Sequence, residues 1–288
     1  MSNRAKRKEI AEETLLIISE KRYQTTNGRR VDLTIQIGRM LAETELYLPN
    51  TLKNLVEHIL RQKQVFESYR VEVANETTLQ GAAQLVKSGQ YQRVGVLNFA
   101  SAKNPGGGFL NGSMAQEESL ASSSALYESL IQCHDFYSWH KSHANLLYSD
   151  RMIYTPDCPV FRDDDGRLLD EPYLVDFVTS PAPNIGAMRE DSPLRDEVLP
   201  VLRERSEKVL AVMAKHGCDA IVLGAWGCGV FRNAPDMVAE VFAQHLKQGE
   251  RWHNRFRKVM FSILDKSRQQ ETLQAFQRVF ENDSPGAI

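Results

Sequence analysis

Asn98-Phe99-Ala100-Ser101-Ala102-Lys103-Asn104-Pro105-Gly106-Gly107-Gly108, followed after a seven-residue spacer by Gln116-Glu117-Glu118, is the stretch on which the reading of this chain turns. It begins as the polar end of an apolar strand, passes through three consecutive glycines and enters a small-residue helix at two adjacent glutamates. Each glycine costs roughly 0.5–1 kcal/mol relative to Ala inside regular structure, so the run needs a reason. Close backbone approach, with amides turned inward towards negatively charged oxygens, is one reason; a flexible loop is the other. The glutamates are equally two-sided. Acidic residues suit the positive end of a helix dipole, and they are also what acid–base chemistry requires.

Outward from this stretch, strands and helices alternate. Residues 70–75 read as a strand, 78–88 as a helix and 94–99 as a buried strand, with a helix over 116–134 that shows Ala121, Ala125 and Leu130 on its packed face. Ser119, Ser122, Ser123 and Ser124 are small enough to let that helix sit close to a sheet. Strands follow at 152–155 and 159–161, flanking Asp157-Cys158, and then a turn at Asp163-Asp164-Asp165-Gly166. That turn lacks the spaced ligands and closing Glu of a calcium loop. A strand at 173–179, a helix at 194–216 in which Pro200 marks a kink or the true start, a strand at 220–223, a helix at 235–247, a strand at 258–264 and a helix at 271–280 complete the pattern. Residues 282–288 are expected to fray. Such alternation predicts an α/β fold with a mixed or parallel sheet and helices on both faces.

The front of the chain differs. It reads as an amphipathic helix over 4–20, a turn at Asn27-Gly28, a strand over 31–37 and a helix over 52–66, without glycines suited to a ligand. The expected division is a mainly helical extension over residues 1–68, packed on a catalytic domain over 69–288.

Composition narrows the function. Of 288 residues, 42% are hydrophobic and 25% charged, enough for a sizeable core. A net charge of −2 shows no overall basic bias, so general nucleic-acid binding is not expected and any polyanion must be met locally. Arg4, Lys6, Arg7 and Lys8 form a basic cluster, read as a solvated helix face in preference to a localisation signal. No apolar run approaches the roughly 20 residues of a membrane span, and the first thirteen residues lack the apolar core of a leader. Cys133, Cys158, Cys218 and Cys228 show neither CxxC spacing nor paired histidines. They read as reduced thiols of a cytoplasmic protein, or a nuclear one in a eukaryotic host, with no metal and no cofactor expected.

A second glycine-rich exit follows the strand at 220–223: Gly224-Ala225-Trp226-Gly227-Cys228-Gly229-Val230-Phe231-Arg232-Asn233. In open α/β sheets, ligands bind outside the C-terminal ends of strands, and both glycine stretches leave strands at that end. Three glycines without an acidic side chain suit a diphosphate held by amides; a tight strand-to-helix turn is the plainer alternative.

Together, the triple glycine, the spacer and Gln-Glu-Glu resemble the signature of the poly(ADP-ribose) glycohydrolases. The lead-in Asn98-Phe99-Ala100 and the second glycine block look most like the compact bacterial-type members, also found in fungi. The resemblance covers roughly residues 70–285. It implies a macrodomain-like three-layer α/β/α fold with a mixed central sheet, carrying an N-terminal helical extension. It implies hydrolysis of the ribose–ribose bonds of poly(ADP-ribose), from chain ends, releasing ADP-ribose, with the polymer or ADP-ribosylated proteins as substrate.

By position in the motif, Glu118 is the general acid and base, and Glu117 holds the ribose hydroxyls. Gln116 fixes the glycine loop of Gly106, Gly107 and Gly108. Ser101 and Asn104 sit where the family meets the ribose, in a segment longer than that of animal-type members. The resemblance assigns Gly224, Trp226, Gly227, Cys228, Gly229 and Val230 to the diphosphate and Phe231 to stacking on the adenine or its ribose. A helix N-terminus favours a carboxylate over a carboxylic acid, so the acid form needs opposition from burial, Glu117 and the ligand's own charge. Two other readings share the scaffold: a reader that binds ADP-ribose without cutting it, and a hydrolase that removes single ADP-ribose groups. The glutamate pair at motif spacing separates the glycohydrolase from the reader, and single-group removal is usually served by other residues at this rim.

Overall fold

A computed structural model describes residues 3–62 and 65–281. The chain opens with α1 (Asn3–Glu20), a hairpin of β1 (Arg22–Gln24) and β2 (Arg30–Asp32), then α2 (Thr34–Glu43), β3 (Glu45–Tyr47) and α3 (Pro49–Arg61). Next come β4 (Arg70–Ala74), α4 (Thr78–Lys87) and β5 (Val94–Phe99), which leads into the glycine loop. Three short helices follow, α5 (Gln116–Ser123), α6 (Leu126–Gln132) and α7 (His134–Ser142), and then the long antiparallel pair β6 (Met152–Arg162) and β7 (Leu168–Ser180). The chain continues with α8 (Val198–Lys215), β8 (Ala220–Leu223), α9 (Pro235–Leu246), β9 (Lys258–Ser262) and α10 (Glu271–Phe280). Residues 282–288, expected to fray, lie outside the described residues.

Seven strands form one mixed sheet in the order β3-β6-β7-β5-β8-β9-β4. The five from β7 to β4 run parallel, and β6 is antiparallel to both of its neighbours. Side chains alternate across a strand, so β5 feeds two cores: Leu97 joins the apolar cluster of α3, α8, α9 and α10, while Val94 and Val96 join that of α2, α4, α6 and α7. Three layers, helix, sheet and helix, result. The first 68 residues also contribute to the sheet itself, because β3 pairs with β6 as its outermost strand.

Several expected elements are corrected. Residues 31–37 are a strand only as far as Asp32, and the rest begins α2, which buries Leu33, Ile37 and Met40 and leaves Ile35 80% exposed. The single helix expected over 116–134 is broken after Ser123. There Ser124 turns extended and bridges to Val160 of β6 while its hydroxyl donates to the Leu120 carbonyl. Residues 152–155 and 159–161 are not separate strands but one strand with an irregular register around Asp157, whose φ is +44°. Pro200 lies in the first turn of α8, where its missing N–H costs nothing.

Candidate active site

At the C-terminal end of β5 the chain folds back over the first turn of α5. Gln116 ties the two together: its Oε1 accepts from the Phe99 N–H (2.9 Å), and its Nε2 donates to the Leu97 carbonyl (2.8 Å) and Thr78 (3.3 Å). Gln116 was expected to fix the glycine loop; it holds the strand end instead.

Both glutamates converge on that loop. The Gly108 N–H donates to Glu118 Oε1 (2.9 Å). An added Cβ on Gly107, whose φ is +61°, would lie 2.4 Å from Glu118 Oε1 and 3.3 Å from Glu117 Oε2. Glycine is required here on both counts, conformation and space. The Gly108 amide thus serves a carboxyl group of the protein itself, while that of Gly107 turns back on the Asn104 carbonyl (3.0 Å).

The glutamates are unequal. Glu117 is only 3% exposed and accepts from Asn98 Nδ2 (3.3 Å) and the Ser101 N–H (2.6 Å). Burial pushes its carboxyl up to about 8, aided by the neighbouring Glu118 charge and opposed by those hydrogen bonds, so Glu117 keeps its proton at neutral pH. Glu118 is half-buried and reachable from the rim. Ser101 and Asn104 form the turn before the glycines, the Ser101 hydroxyl accepting from the Asn104 N–H (3.2 Å), and Asn104 is exposed.

The second glycine loop lies beside the first, since a Cβ on Gly224 would approach the Phe99 ring to 2.9 Å. Trp226 anchors it: the indole is buried and donates to the Ser180 carbonyl (3.0 Å), so this side chain belongs to the core and not to a ligand surface. Gly227, at φ +75°, packs so tightly that a Cβ would lie 2.2 Å from Asn233 Nδ2 and 2.6 Å from Ala182 Cβ. The Trp226 and Cys228 amides turn back on Gly224 and Ala225, whereas those of Gly227, Gly229, Val230 and Phe231 meet no acceptor among the described residues. Burial raises the Cys228 thiol to about 12, and it stays protonated. Val230 is 80% exposed, and the Phe231 ring lies 5.9 Å from that of Tyr148.

Sequence reasoning missed three contributors. Tyr148 flanks Phe231, Thr179 shares Asn98 with Glu117 (3.1 Å), and Tyr137, buried, has a hydroxyl without a partner among the described residues and is raised by burial and then by Glu117. None carries a local motif. Among the described residues no group of three His, Cys, Asp or Glu side chains converges to hold a metal, and no helix is long and apolar enough to cross a membrane.

A glycine-clasped glutamate pair beside a turn whose amides lack acceptors among the described residues is arranged for acid–base hydrolysis of an anionic ligand. The model of the microbial-type PARG catalytic domain matches residues 11–163. The structure of poly(ADP-ribose) glycohydrolase (PARG) from Thermomonospora curvata is 45% identical, covers 96% of this chain and all of its own, and superposes with a TM-score of 0.92. The same organism's enzyme bound to the inhibitor ADP-HPD gives 0.89 at 45% identity, over 95% and 99% of the two chains. The Deinococcus radiodurans enzyme in complex with ADP-ribose gives 0.78 at 42% identity, over 85% and 96%. No curated protein matches the sequence. This chain belongs to the microbial-type poly(ADP-ribose) glycohydrolase family.

Proposed function

We propose that this glycohydrolase releases ADP-ribose from the ends of poly(ADP-ribose), with Glu118 as general acid and then general base. The observation that carries this is the inequality of the pair. Glu117 has both oxygens engaged inside the protein, whereas Glu118 is fixed by one amide and open to the rim. In the reaction, Glu118 protonates the oxygen of the departing ribose as its bond to the anomeric carbon breaks. Water then adds to the oxocarbenium-like centre and returns a proton to Glu118. Glu117, protonated at neutral pH, offers an O–H to a ribose hydroxyl and orients the sugar over Glu118.

The four unengaged amides from Gly227 to Phe231 would take the diphosphate, as a backbone nest does, and Phe231 with Tyr148 would flank the adenosine. Ser101 and Asn104 line the ribose end. The Thermomonospora enzyme's inhibitor complex and the Deinococcus enzyme's ADP-ribose complex support a ligand of this class here. The free thiols suit a reducing compartment, and the cytoplasm is the proposed location.

The test incubates wild type and Glu118→Gln with automodified poly(ADP-ribose), reading released ADP-ribose, alongside calorimetry with ADP-ribose. Release by wild type only, with binding by both, is the expected result. Binding by both with release by neither would move the chain to the reader class.

A further inference from the structure

The basic cluster near the start of the chain is used by none of the chemistry above, yet the fold brings it to the catalytic loop. At about 100° per residue, Arg4, Arg7 and Lys8 share one arc of α1, and Lys6 points away from it. Ala11 continues the arc and is buried with Phe109 and Ala121, so this is the face that packs on the active-site loop. Arg4 Nε donates to the Asn111 carbonyl (2.9 Å) and Arg7 Nε to the Gly112 carbonyl (2.8 Å). A Cβ on Gly112 would lie 2.5 Å from the Arg4 carbonyl oxygen and 3.2 Å from Lys8 Cγ. Four residues earlier, the Gly108 N–H holds Glu118.

Charge and direction both matter. Arg4, Arg7 and Lys8 form no ion pair among the described residues; Glu12, one turn beyond Lys8, is not bonded to it, and Glu13 pairs with Arg162 (2.8 Å). The proposed diphosphate turn follows β8, on one side of β5. Helix α1 packs on α5, which reaches towards β6 on the other side. A polymer cut at Glu118 therefore has its released ADP-ribose on the β8 side and its remaining chain on the α1 side.

That remaining chain carries two negative charges per unit. Its first diphosphate lies one ribose beyond the scissile oxygen, and exposed charges act on it over roughly 8–10 Å at physiological salt. We infer that Arg4, Arg7 and Lys8 form a subsite for the diphosphate of the ADP-ribose unit left behind on the polymer. The inference rests on poly(ADP-ribose) being the substrate. It gives a chain of net charge −2 the local cation that a polyanion needs.

The experiment compares full-length Lys8→Gln with Lys6→Gln, the same charge change on opposite faces. Each is assayed on automodified polymer at low and high salt, and on ADP-ribose bearing an uncharged aryl group at the anomeric carbon. Lys8→Gln should raise KM for the polymer, relative to that for the aryl substrate, about threefold or more at low salt. The gap should narrow as salt rises, and Lys6→Gln should follow wild type. Equal effects of the two variants, or an equal loss on the uncharged substrate, would overturn the subsite. Wild type that cleaves the aryl substrate but not the polymer would defeat the functional reading itself, which is a different result.

Discussion

The two glycine-rich loops leave neighbouring parallel strands at the same rim and use their amides in opposite ways. In the first, the Gly108 N–H is bonded to Glu118, and Gly107 leaves no space between its backbone and the glutamates. The second leaves four amides from Gly227 to Phe231 without acceptors among the described residues and turns the Trp226 indole into the core. One loop is occupied by the protein's own acidic side chains, and the other is left for a ligand. Glycine content alone does not say which.

Separate roles make separable losses. Glu118→Gln removes the proton donor while sparing the amide turn, so kcat should fall by about 10³-fold with ADP-ribose affinity near that of wild type, read by turnover and calorimetry. Gly107→Ala drives a methyl group into both carboxylates. It should lower kcat by about 10²-fold through their displacement and cost about 1–3 kcal/mol in urea unfolding, again with affinity retained. Gly227→Ala should reverse that pattern, weakening ADP-ribose about tenfold and lowering Tm, with a smaller change in kcat; a loss confined to kcat would collapse the distinction between the loops.

A graded effect of pH should separate them further. Because the folded Glu117 carboxyl titrates near 8 and the unfolded one near 4.5, the folded protein holds a proton that the unfolded chain gives up. Stability from this group is full below about 4.5 and is lost as pH rises to about 8. Glu117→Gln should flatten that part of the Tm–pH curve. No substitution in the second loop should do so.

Much of this was legible because the informative residues are local. Residues 94–99 form a short apolar run ahead of a glycine-rich segment, and its length and flanking glycines favour a buried strand that delivers a loop to the rim. The strand at 220–223 reads the same way. Where the pattern misled, the cause is specific. Leu33, Ile35 and Ile37 alternate as in a strand, but Leu33, Ile37 and Met40 also fall on one helical face, and burial of that face won. The break at Ser124 carries no glycine or proline because a long-range bridge to Val160 stabilises it. Within the site, the motif located the carboxylates. It could not reveal that Gln116 serves the strand, that Trp226 is core, or that Tyr137 and Tyr148 approach from distant segments.

Strand β3 bears on how the molecule behaves in company. It is three residues long and covers the outer edge of β6 at residues 152–154, where Met152, Ile153 and Tyr154 are all buried. A fragment cut at residue 68 would bare those backbone donors and acceptors beside an apolar surface. Such an edge invites another chain to add a strand. Without the front section, the sheet should therefore collect into oligomers and precipitate, whatever its active site can still do.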